Sequence, residues 1–354
     1  MLREVVRAGD VLIGPGHPCL FLPDIGTFFN QDLDGGIALI DRVADAGAAF
    51  IKGEVLHDAA ICLDSALLEN ITTRDAVVSR EPYHSVIARK VLPLAAYERL
   101  FAHATRRGLR LALSVYDADG LAFARGQGAV LIKIASSNVV HRPLIEQIAA
   151  AGVPALMDTG GATLDEVRRA VQWFTTAGGT ELIVEHSPPA PPAPVSRHNL
   201  QRLAVLREAC RCPIGLSDHH AGVEMLHAAI ALGANVIEKG VYPDEVERDQ
   251  DIAHGLPAGR LADTLRQCAN VARAMQPPPA DAPAPSGHPA RMGLVAAREL
   301  PAGHQLAPGD LAYAFPAIGV PVEQVTEALG LRLIKPITKG MPIDWASLDR
   351  KAPA

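Results

Sequence analysis

Two lysines could take part in chemistry on an anionic molecule, because each lies in or directly after a short run of apolar residues. Lys52 comes directly after residues 48–51, and Lys133 lies within the apolar run 130–135. A lysine at the end of a buried strand needs an anionic partner. Together with hydroxyl groups nearby, the two ammonium groups predict a ligand that carries phosphate or carboxylate.

Polar residues also close the other apolar runs of the first 275 residues. These residues are Asp24, Ser114, Ser136, Ser137, Asp158, Thr159, His186, Ser217, Asp218, His219 and Glu238. Any one of them alone is better explained as a rim group bonded to a neighbouring loop, and a neutral, backbone-bonded histidine explains His186 equally well. Because such polar residues recur at the ends of most of the apolar runs, we favour one shared site. His220 alternates away from His219, so we leave it outside that site.

Eight apolar runs alternate with helical patterns, which is the sequence sign of parallel βα units. The runs lie near 19–25, 48–52, 110–115, 130–135, 154–157, 181–186, 213–216 and 235–240. Eight units in roughly 250 residues favour a closed (β/α)₈ barrel over an open doubly wound sheet, and no G-x-G-x-x-G is present. In such a barrel the carboxyl ends of the strands meet at one mouth, where the polar residues above would converge.

The sequence predicts an α/β chain of two domains. We expect a barrel over residues 1–275 that starts with a hairpin at 1–18, a Pro/Ala linker at 276–289, and a small, mostly β module at 290–354. The net charge of −6 gives no broad cationic surface for nucleic acid or anionic lipid. The first ten residues lack the apolar run of a signal peptide or membrane span, so we expect a cytoplasmic protein with its five cysteines reduced.

Several segments resemble the N-acetylneuraminate (sialic acid) synthase family. They are HPCLFLPDIG at 17–26, LIKIASSNV at 131–139, DTGGATLDEV at 158–167, GLSDHHAGVEM at 215–225 and ALGANVIEK at 231–239, and the C-terminal module resembles the family's antifreeze-like or SAF domain. The resemblance implies that phosphoenolpyruvate condenses with a sugar aldehyde, releasing phosphate, with a divalent metal such as manganese or magnesium. It also implies a homodimer whose C-terminal domain covers the partner's barrel mouth.

The resemblance assigns site residues one by one. It places phosphoenolpyruvate at or beside Lys52, Ser114, Lys133, Ser136, Thr159 and Ser217, and it matches His186. It makes His219 a metal ligand, puts Asp251 against the sugar, and sets Asp24 in the same acidic cluster, near Glu238. We expect Lys52 and Lys133 to be the main anchors of the anionic substrate, so that replacing either by Met abolishes binding with little loss of stability.

The sequence departs from the family at positions that bear on the substrate. Gly240 replaces the second metal-binding histidine, Asp158 replaces a serine at the phosphate position, and Phe315 replaces the arginine that reaches the N-acyl group. The Asn-His-Asn-Gly segment has become residues 28–31, Phe-Phe-Asn-Gln. These changes argue against N-acetylmannosamine as substrate. With a single histidine left, a metal held with carboxylate help and no metal at all are both open.

The leading hypothesis is therefore a phosphoenolpyruvate-dependent condensation with an aldehyde other than N-acetylmannosamine. One competitor keeps the barrel but runs another reaction on a carboxylate substrate. The other is a non-catalytic subunit that binds a sugar acid or pairs with an active partner. The leading hypothesis has phosphoenolpyruvate and an aldehyde sugar as its partners, and none of the three requires nucleic acid or membrane.

Overall fold

The eight apolar runs form the strands of a closed parallel barrel, as the sequence predicts. The structure is a computed structural model that describes residues 1–75, 77–189, 193–277 and 290–350. Within these residues the chain divides into two compact units, the first of which is Met1–Pro277. From residue 278 onward the predicted linker lies outside the described residues, as do residues 351–354 of the predicted module.

The strands and helices of the first unit follow one another much as the sequence pattern indicates. The strands are β1 (Val6–Ala8), β2 (Val11–Ile13), β3 (Leu20–Asp24), β4 (Phe50–Glu54), β5 (Leu68–Thr73), β6 (Val78–Pro82), β7 (Arg110–Ser114), β8 (Leu131–Ile134), β9 (Ala155–Asp158), β10 (Leu182–His186), β11 (Ile214–Asp218), β12 (Val236–Tyr242), β13 (Arg248–Asp249) and β14 (Leu256–Pro257). The helices are α1 (Leu33–Asp45), α2 (Tyr83–Ala88), α3 (Leu94–Arg106), α4 (Ala118–Gly126), α5 (Arg142–Ala150), α6 (Leu164–Thr176), α7 (Arg202–Cys210), α8 (Glu224–Ala231) and α9 (Leu261–Ala274).

The barrel closes because β12 pairs in parallel with both β11 and β3. Its strands neighbour one another in the order β3, β4, β7, β8, β9, β10, β11 and β12. The pairing register sets polar residues side by side at the carboxyl ends. Asp24 lies opposite Lys52, and Ser114 lies opposite Lys133. Ser217 lies opposite Glu238 on the far side of the barrel.

Local sequence explains how helix α1 packs and ends. Its buried residues include Leu39, Ile40 and Val43, which recur at helical spacing and face the barrel. The side chain of Asp32 caps the first turn by accepting from the Gly35 amide. Gly47 adopts φ +85°, a left-handed conformation that glycine adopts without strain, and the chain then turns into β4.

The N-terminal hairpin seals the end of the barrel opposite the catalytic mouth expected for this fold. Strands β1 and β2 pair antiparallel, confirming the predicted hairpin. Val6, Ala8 and Ile13 are fully buried and pack with interior barrel residues such as Leu22 and Phe50. This apolar plug leaves the carboxyl ends of the strands as the open end of the barrel.

A small three-stranded sheet at the carboxyl side of the barrel was not predicted. Strand β5 pairs antiparallel with β6 on one side and with the two-residue strand β13 on the other. The buried Thr72 of β5 donates a hydrogen bond to the carbonyl of Asp249 and accepts one from the Ala253 amide at 3.3 Å. The sheet therefore braces the loop that follows β12.

The second unit is a small β-rich module, as predicted. Its elements are β15 (Gly293–Ala296), β16 (Leu311–Ala314), the short helix α10 (Val325–Ala328), β17 (Arg332–Leu333) and β18 (Leu348–Asp349). Leu294, Leu300, Val320, Leu333 and Ile343 form its own apolar core. In the described part of the chain, no helix has the length and apolar character needed to cross a membrane.

Candidate active site

A cavity of about 470 Å³ lies at the carboxyl ends of the barrel strands. Pockets of this size hold small-molecule substrates. Its lining includes twelve of the residues singled out from the sequence, namely Asp24, Lys52, Ser114, Lys133, Ser136, Ser137, Asp158, Ser217, Asp218, His219, Glu238 and Asp251. Chain topology alone brings them together, because they come from seven different strands or the segments that follow them.

Lys52 lies at the centre of the first charged group in the cavity. Its side chain is only 3% exposed, and Nζ donates to Asp24 at 2.7 Å and to Glu54 at 2.9 Å. The Tyr116 hydroxyl donates to the other oxygen of Glu54 at 3.1 Å. Burial disfavours the charged ammonium, but the two carboxylates outweigh it and hold the pKa of Lys52 well above its usual range. Lys52 is therefore a permanent cation.

Lys133 lies at the centre of a second group that is more acidic. Its Nζ donates to Glu238 and also lies 3.4 Å from Glu185 and 3.6 Å from Asp158. All four side chains are buried. Within the described ranges, neither oxygen of Glu185 has a hydrogen-bond partner. Burial raises the pKa of Glu185 well above its usual range despite the attraction of Lys133. One ammonium thus faces three carboxyl groups.

Asp24 is partly buried and Asp158 is buried, each beside a lysine, yet their pKa values move in opposite directions. Burial raises the pKa of Asp24 to about 7 and outweighs the opposing attraction of Lys52. For Asp158 the effect of burial is outweighed by Lys133 and by the Ser187 hydroxyl, which donates at 2.5 Å, so its pKa is lowered. Asp24 can therefore exchange a proton near neutral pH, whereas Asp158 stays charged.

The hydroxyl of Ser114 is poised to bind a ligand. It is buried at the cavity wall, and none of the residues that the structure describes accepts its hydrogen bond. Ser217 instead donates to Glu238 at 3.1 Å. Ser136 and Ser137 line the cavity next to Asn138.

Two of the selected residues of the first unit, Thr159 and His186, do not line this cavity. The Thr159 hydroxyl donates to the backbone carbonyl of Glu185 at 2.8 Å. Nε2 of His186 lies 2.6 Å from the carbonyl of His198, and burial lowers the pKa of His186. The backbone contact expected as an alternative explanation of His186 is thus present. Phe315 belongs to the second unit, where its side chain is exposed.

Two histidines lie next to each other in the lining of the cavity. The ring centroids of His219 and His254 lie 4.8 Å apart with the planes inclined by 53°. Nε2 of His254 lies 3.7 Å from Asp251. Burial lowers the pKa of His219 to about 4 and that of His254 to about 3, so both imidazoles are neutral. Gly240 lines the cavity beside them.

The donor types in this part of the cavity fit a divalent ion. Neutral imidazole nitrogen and carboxylate oxygen are the ligands that Mn²⁺ and related ions accept. His219 supplies the first kind, and Asp251 and Asp24 supply the second at the same cavity. No group of three or more His, Cys, Asp or Glu side chains is preassembled as a metal site among the described residues. Water or substrate oxygens would have to complete the coordination of an ion there.

Several residues of the site escaped the sequence analysis. Glu54 and Tyr116 each stand two positions after a selected residue, so strand alternation, which points every second side chain to the same side, was a signal for both. Glu185 comes one position before the selected His186. Neighbouring side chains of a strand point to opposite sides, so choosing His186 passed over Glu185. His254 lies in an irregular segment after β13, where no periodic pattern could place it.

Comparisons with known proteins agree with this architecture. The model of the NeuB family matches residues 39–278, and that of the SAF domain matches residues 291–349. N,N'-diacetyllegionaminic acid synthase of Campylobacter jejuni is 25% identical over 316 residues, covering 88% of this chain and 94% of that protein. N-acetylneuraminate-9-phosphate synthase of Mus musculus is 24% identical over 272 residues, covering 75% of this chain and 74% of that protein.

A solved structure shares the fold. It is the N-acetylneuraminic acid (sialic acid) synthetase from Leptospira borgpetersenii serovar Hardjo-bovis, in complex with citrate. Its TM-score is 0.70 at 21% identity, with 79% of this chain and 93% of that chain covered.

Proposed function

This chain is a divergent member of the NeuB family with a C-terminal SAF domain, and from that membership we propose that it catalyses a phosphoenolpyruvate-dependent condensation. The second substrate is a sugar or related aldehyde other than N-acetylmannosamine. The products are a 3-deoxy-2-keto acid and inorganic phosphate. The observation that carries the proposal is the convergence of two buried lysines and an unbonded hydroxyl on one cavity of suitable size.

Phosphoenolpyruvate binds where Lys52 and Lys133 line the cavity. Lys52 and Lys133 supply fixed positive charge, and the Ser114 hydroxyl donates to a ligand oxygen. The carboxyl groups that now hold the lysines stay beside them when the ligand enters. Asp24 is the group best able to gain a proton at that moment, because its pKa is about 7.

The reaction needs a proton at the aldehyde oxygen. As C3 of phosphoenolpyruvate forms a bond to the aldehyde carbon, the carbonyl oxygen becomes a hydroxyl and takes a proton that Asp24 can supply. Water then adds to C2, and cleavage of the C2–O bond releases phosphate and leaves the keto group. Asp251 lies at the same cavity, where it is placed to orient the aldehyde or the water. A divalent ion held by His219 with carboxylate help would supply a Lewis acid for the carbonyl oxygen.

The departures from the family favour a smaller or less polar aldehyde. Phe28 lines the cavity and packs edge-on against Tyr242, with ring centroids 6.0 Å apart. Phe315 offers an apolar side chain on the module in place of a cation. We further propose that the protein is a cytoplasmic homodimer in which the module covers the partner's barrel mouth.

The test is phosphate release by the purified protein with phosphoenolpyruvate, Mn²⁺ and a panel of aldoses. The test variant is Ser114→Ala, which removes one hydroxyl that would donate to the ligand and breaks no hydrogen bond between described residues. Aldose-dependent phosphate release that Ser114→Ala weakens supports the proposal. Absence of release with every aldose, together with an unchanged melting temperature at millimolar phosphoenolpyruvate, refutes it.

The charged Asp158 favours a second candidate, a reaction on a carboxylate substrate that bears no phosphate. A carboxylate this close to Lys133 repels a phosphate dianion more strongly than a single carboxylate ligand. Under this candidate, 2-keto acids raise the melting temperature and phosphoenolpyruvate does not. The same thermal-shift experiment therefore separates the two functions.

A further inference from the structure

His254 is a buried side chain with an unused ring nitrogen at the wall of the active-site cavity. Its side chain is 5% exposed, and its Nδ1 has no hydrogen-bond partner in the described part of the chain. Nδ1 of His219 is likewise buried and unbonded among the described residues. A buried polar atom without a hydrogen-bond partner costs about 1–3 kcal/mol. Two such nitrogens on neighbouring rings therefore point to a bound ligand.

The segment that carries His254 is held in place by the sheet that was not predicted from sequence. The hydrogen bond from the Ala253 amide to Thr72 anchors the residue just before it. The His254 amide bonds to the carbonyl of Asp251, which starts the same short helical turn. His254 therefore stands on a fixed support, as a binding residue should.

The two rings are close enough to share one ion. A metal-bound imidazole nitrogen lies about 2.1 Å from its ion, so two such nitrogens lie no more than about 4 Å apart. Ring centroids 4.8 Å apart are compatible with ring nitrogens at this separation. Nε2 of His254 lies 3.7 Å from Asp251, so the carboxylate approaches the ring on the nitrogen other than Nδ1 and leaves Nδ1 free for the ion.

Gly240, where the resemblance places the second metal-binding histidine, lies next to the segment that carries His254. A side chain built at Gly240 would place its Cβ 3.4 Å from the Phe28 ring and 3.8 Å from Cα of Gly255, the residue after His254. The place beside Gly240 is therefore adjacent to the segment that carries His254. An imidazole at position 254 can therefore serve the part of the cavity that a side chain at position 240 would have faced.

We propose that His219 and His254 together bind a divalent cation at the cavity, with Asp251 orienting His254. The remaining coordination positions stay open to water and substrate oxygens, as in catalytic metal sites. With two nitrogen donors the site should prefer Mn²⁺, Co²⁺ or Zn²⁺ to Mg²⁺. This inference extends the proposed function, but it concerns metal binding and can be measured without substrate.

The experiment titrates Mn²⁺ into metal-free full-length protein and follows free Mn²⁺ by its EPR signal. The variants are His219→Ala, His254→Ala and His254→Phe, of which the last refills the space with a ring that has no nitrogen. The matched control is His220→Ala, whose ring lies 3.4 Å from Glu224, packs against His198 and does not line the cavity. Circular dichroism establishes that each variant is folded.

We expect one saturable Mn²⁺ per parent chain, and at least about tenfold weaker binding in His219→Ala and in whichever His254 variant folds, as losing even an outer partner can cause. The control should bind Mn²⁺ like the parent. Parental affinity in a folded His254 variant overturns the inference, and so does the absence of saturable binding in the parent. Neither result decides the proposed condensation, which is judged by phosphate release.

Discussion

Replacing Lys133 by Met should destabilise the barrel strongly, contrary to the expectation from sequence that binding alone would suffer. The structure gives the reason. Lys133 is the ammonium group that faces Glu238, Glu185 and Asp158, all of them buried. At 3.4 Å and an effective dielectric constant of 20, one such attraction is worth about 5 kcal/mol before desolvation is subtracted. Removing one partner of a buried ion pair typically costs a net ~3–5 kcal/mol.

The three carboxyl groups would not contribute equally to that loss. Glu185 can take up a proton, because its pKa is already raised by burial. Asp158 keeps its bonds from Ser187 and from the Gly160 amide. Glu238 would keep only the Ser217 hydroxyl on one oxygen, and its other oxygen has no partner among the described residues. The double variant Lys133→Met with Glu238→Gln should therefore regain most of the lost stability.

Urea unfolding followed by circular dichroism at pH 7 measures this effect. A loss of ~3–5 kcal/mol should lower the midpoint by on the order of 1 M. The exposed Lys335→Met, in the other unit, is the control and should change stability by no more than about 0.5 kcal/mol. A Lys133→Met midpoint equal to that of the parent would refute the argument. The folded double variant then tests the ligand role, since it should show no stabilisation by phosphoenolpyruvate.

The other predictions concern single groups and the assembly. Glu185→Gln should stabilise the protein increasingly as pH rises above the ordinary carboxyl range, because a carboxyl with a raised pKa loses its contribution as pH rises towards the folded value; thermal unfolding that differs by a constant amount at all pH values would contradict this. Asp310→Asn should destabilise the module by about 2 kcal/mol at pH 7 and have no effect near pH 2. Hydrogen bonds from His304 and Arg298 lower the Asp310 pKa to about 2, and the stability that they give is lost as pH falls through that value. Urea unfolding of the module at the two pH values checks this. Ser114→Ala should leave the melting temperature unchanged and weaken phosphoenolpyruvate binding by roughly tenfold in calorimetry, because its hydroxyl has no partner to lose within the described residues; parental affinity would remove Ser114 from the site. Light scattering at micromolar concentration should give twice the chain mass of 37.4 kDa, and a monomer mass would exclude the proposed dimer.

The barrel was predictable because buried parallel strands carry a strong local signal. Strands such as Ile214–Asp218 are buried on both faces, so they read as apolar runs of the right length. The three-stranded sheet lacked this signal. Leu68–Thr73 and Val78–Pro82 are largely polar, the second is also largely exposed, and Arg248–Asp249 is a strand only because its partner lies beside it. Such pairing depends on tertiary contacts that no local pattern records.

The site was predictable at the level of strand ends but not of individual side chains. Neighbouring residues in a strand point to opposite sides, so a shift of one position decides which residue faces the cavity. Asp158 lines the cavity while Thr159 bonds to the backbone, and Glu185 reaches Lys133 while His186 points to the His198 carbonyl. The sequence indicates where a strand ends to within a residue or two, which is too coarse to make that choice.

The charge balance of the cavity bears directly on how it can bind an anion. Lys52 and Lys133 are each already neutralised by carboxyl groups, and Lys90 is paired with the buried Asp249 at 2.6 Å. A ligand carrying phosphate and carboxylate therefore adds negative charge to a site that has no surplus of positive charge among the described residues. Two sources can restore the balance. Asp24 and Glu185 can take up protons, since burial has raised both of their pKa values, and a divalent ion at the His219 and His254 wall would bring two positive charges. Either source makes anion binding depend on a second species, a proton or a cation, and the reciprocity of linked binding requires that the anion then strengthen the binding of that species by the same factor.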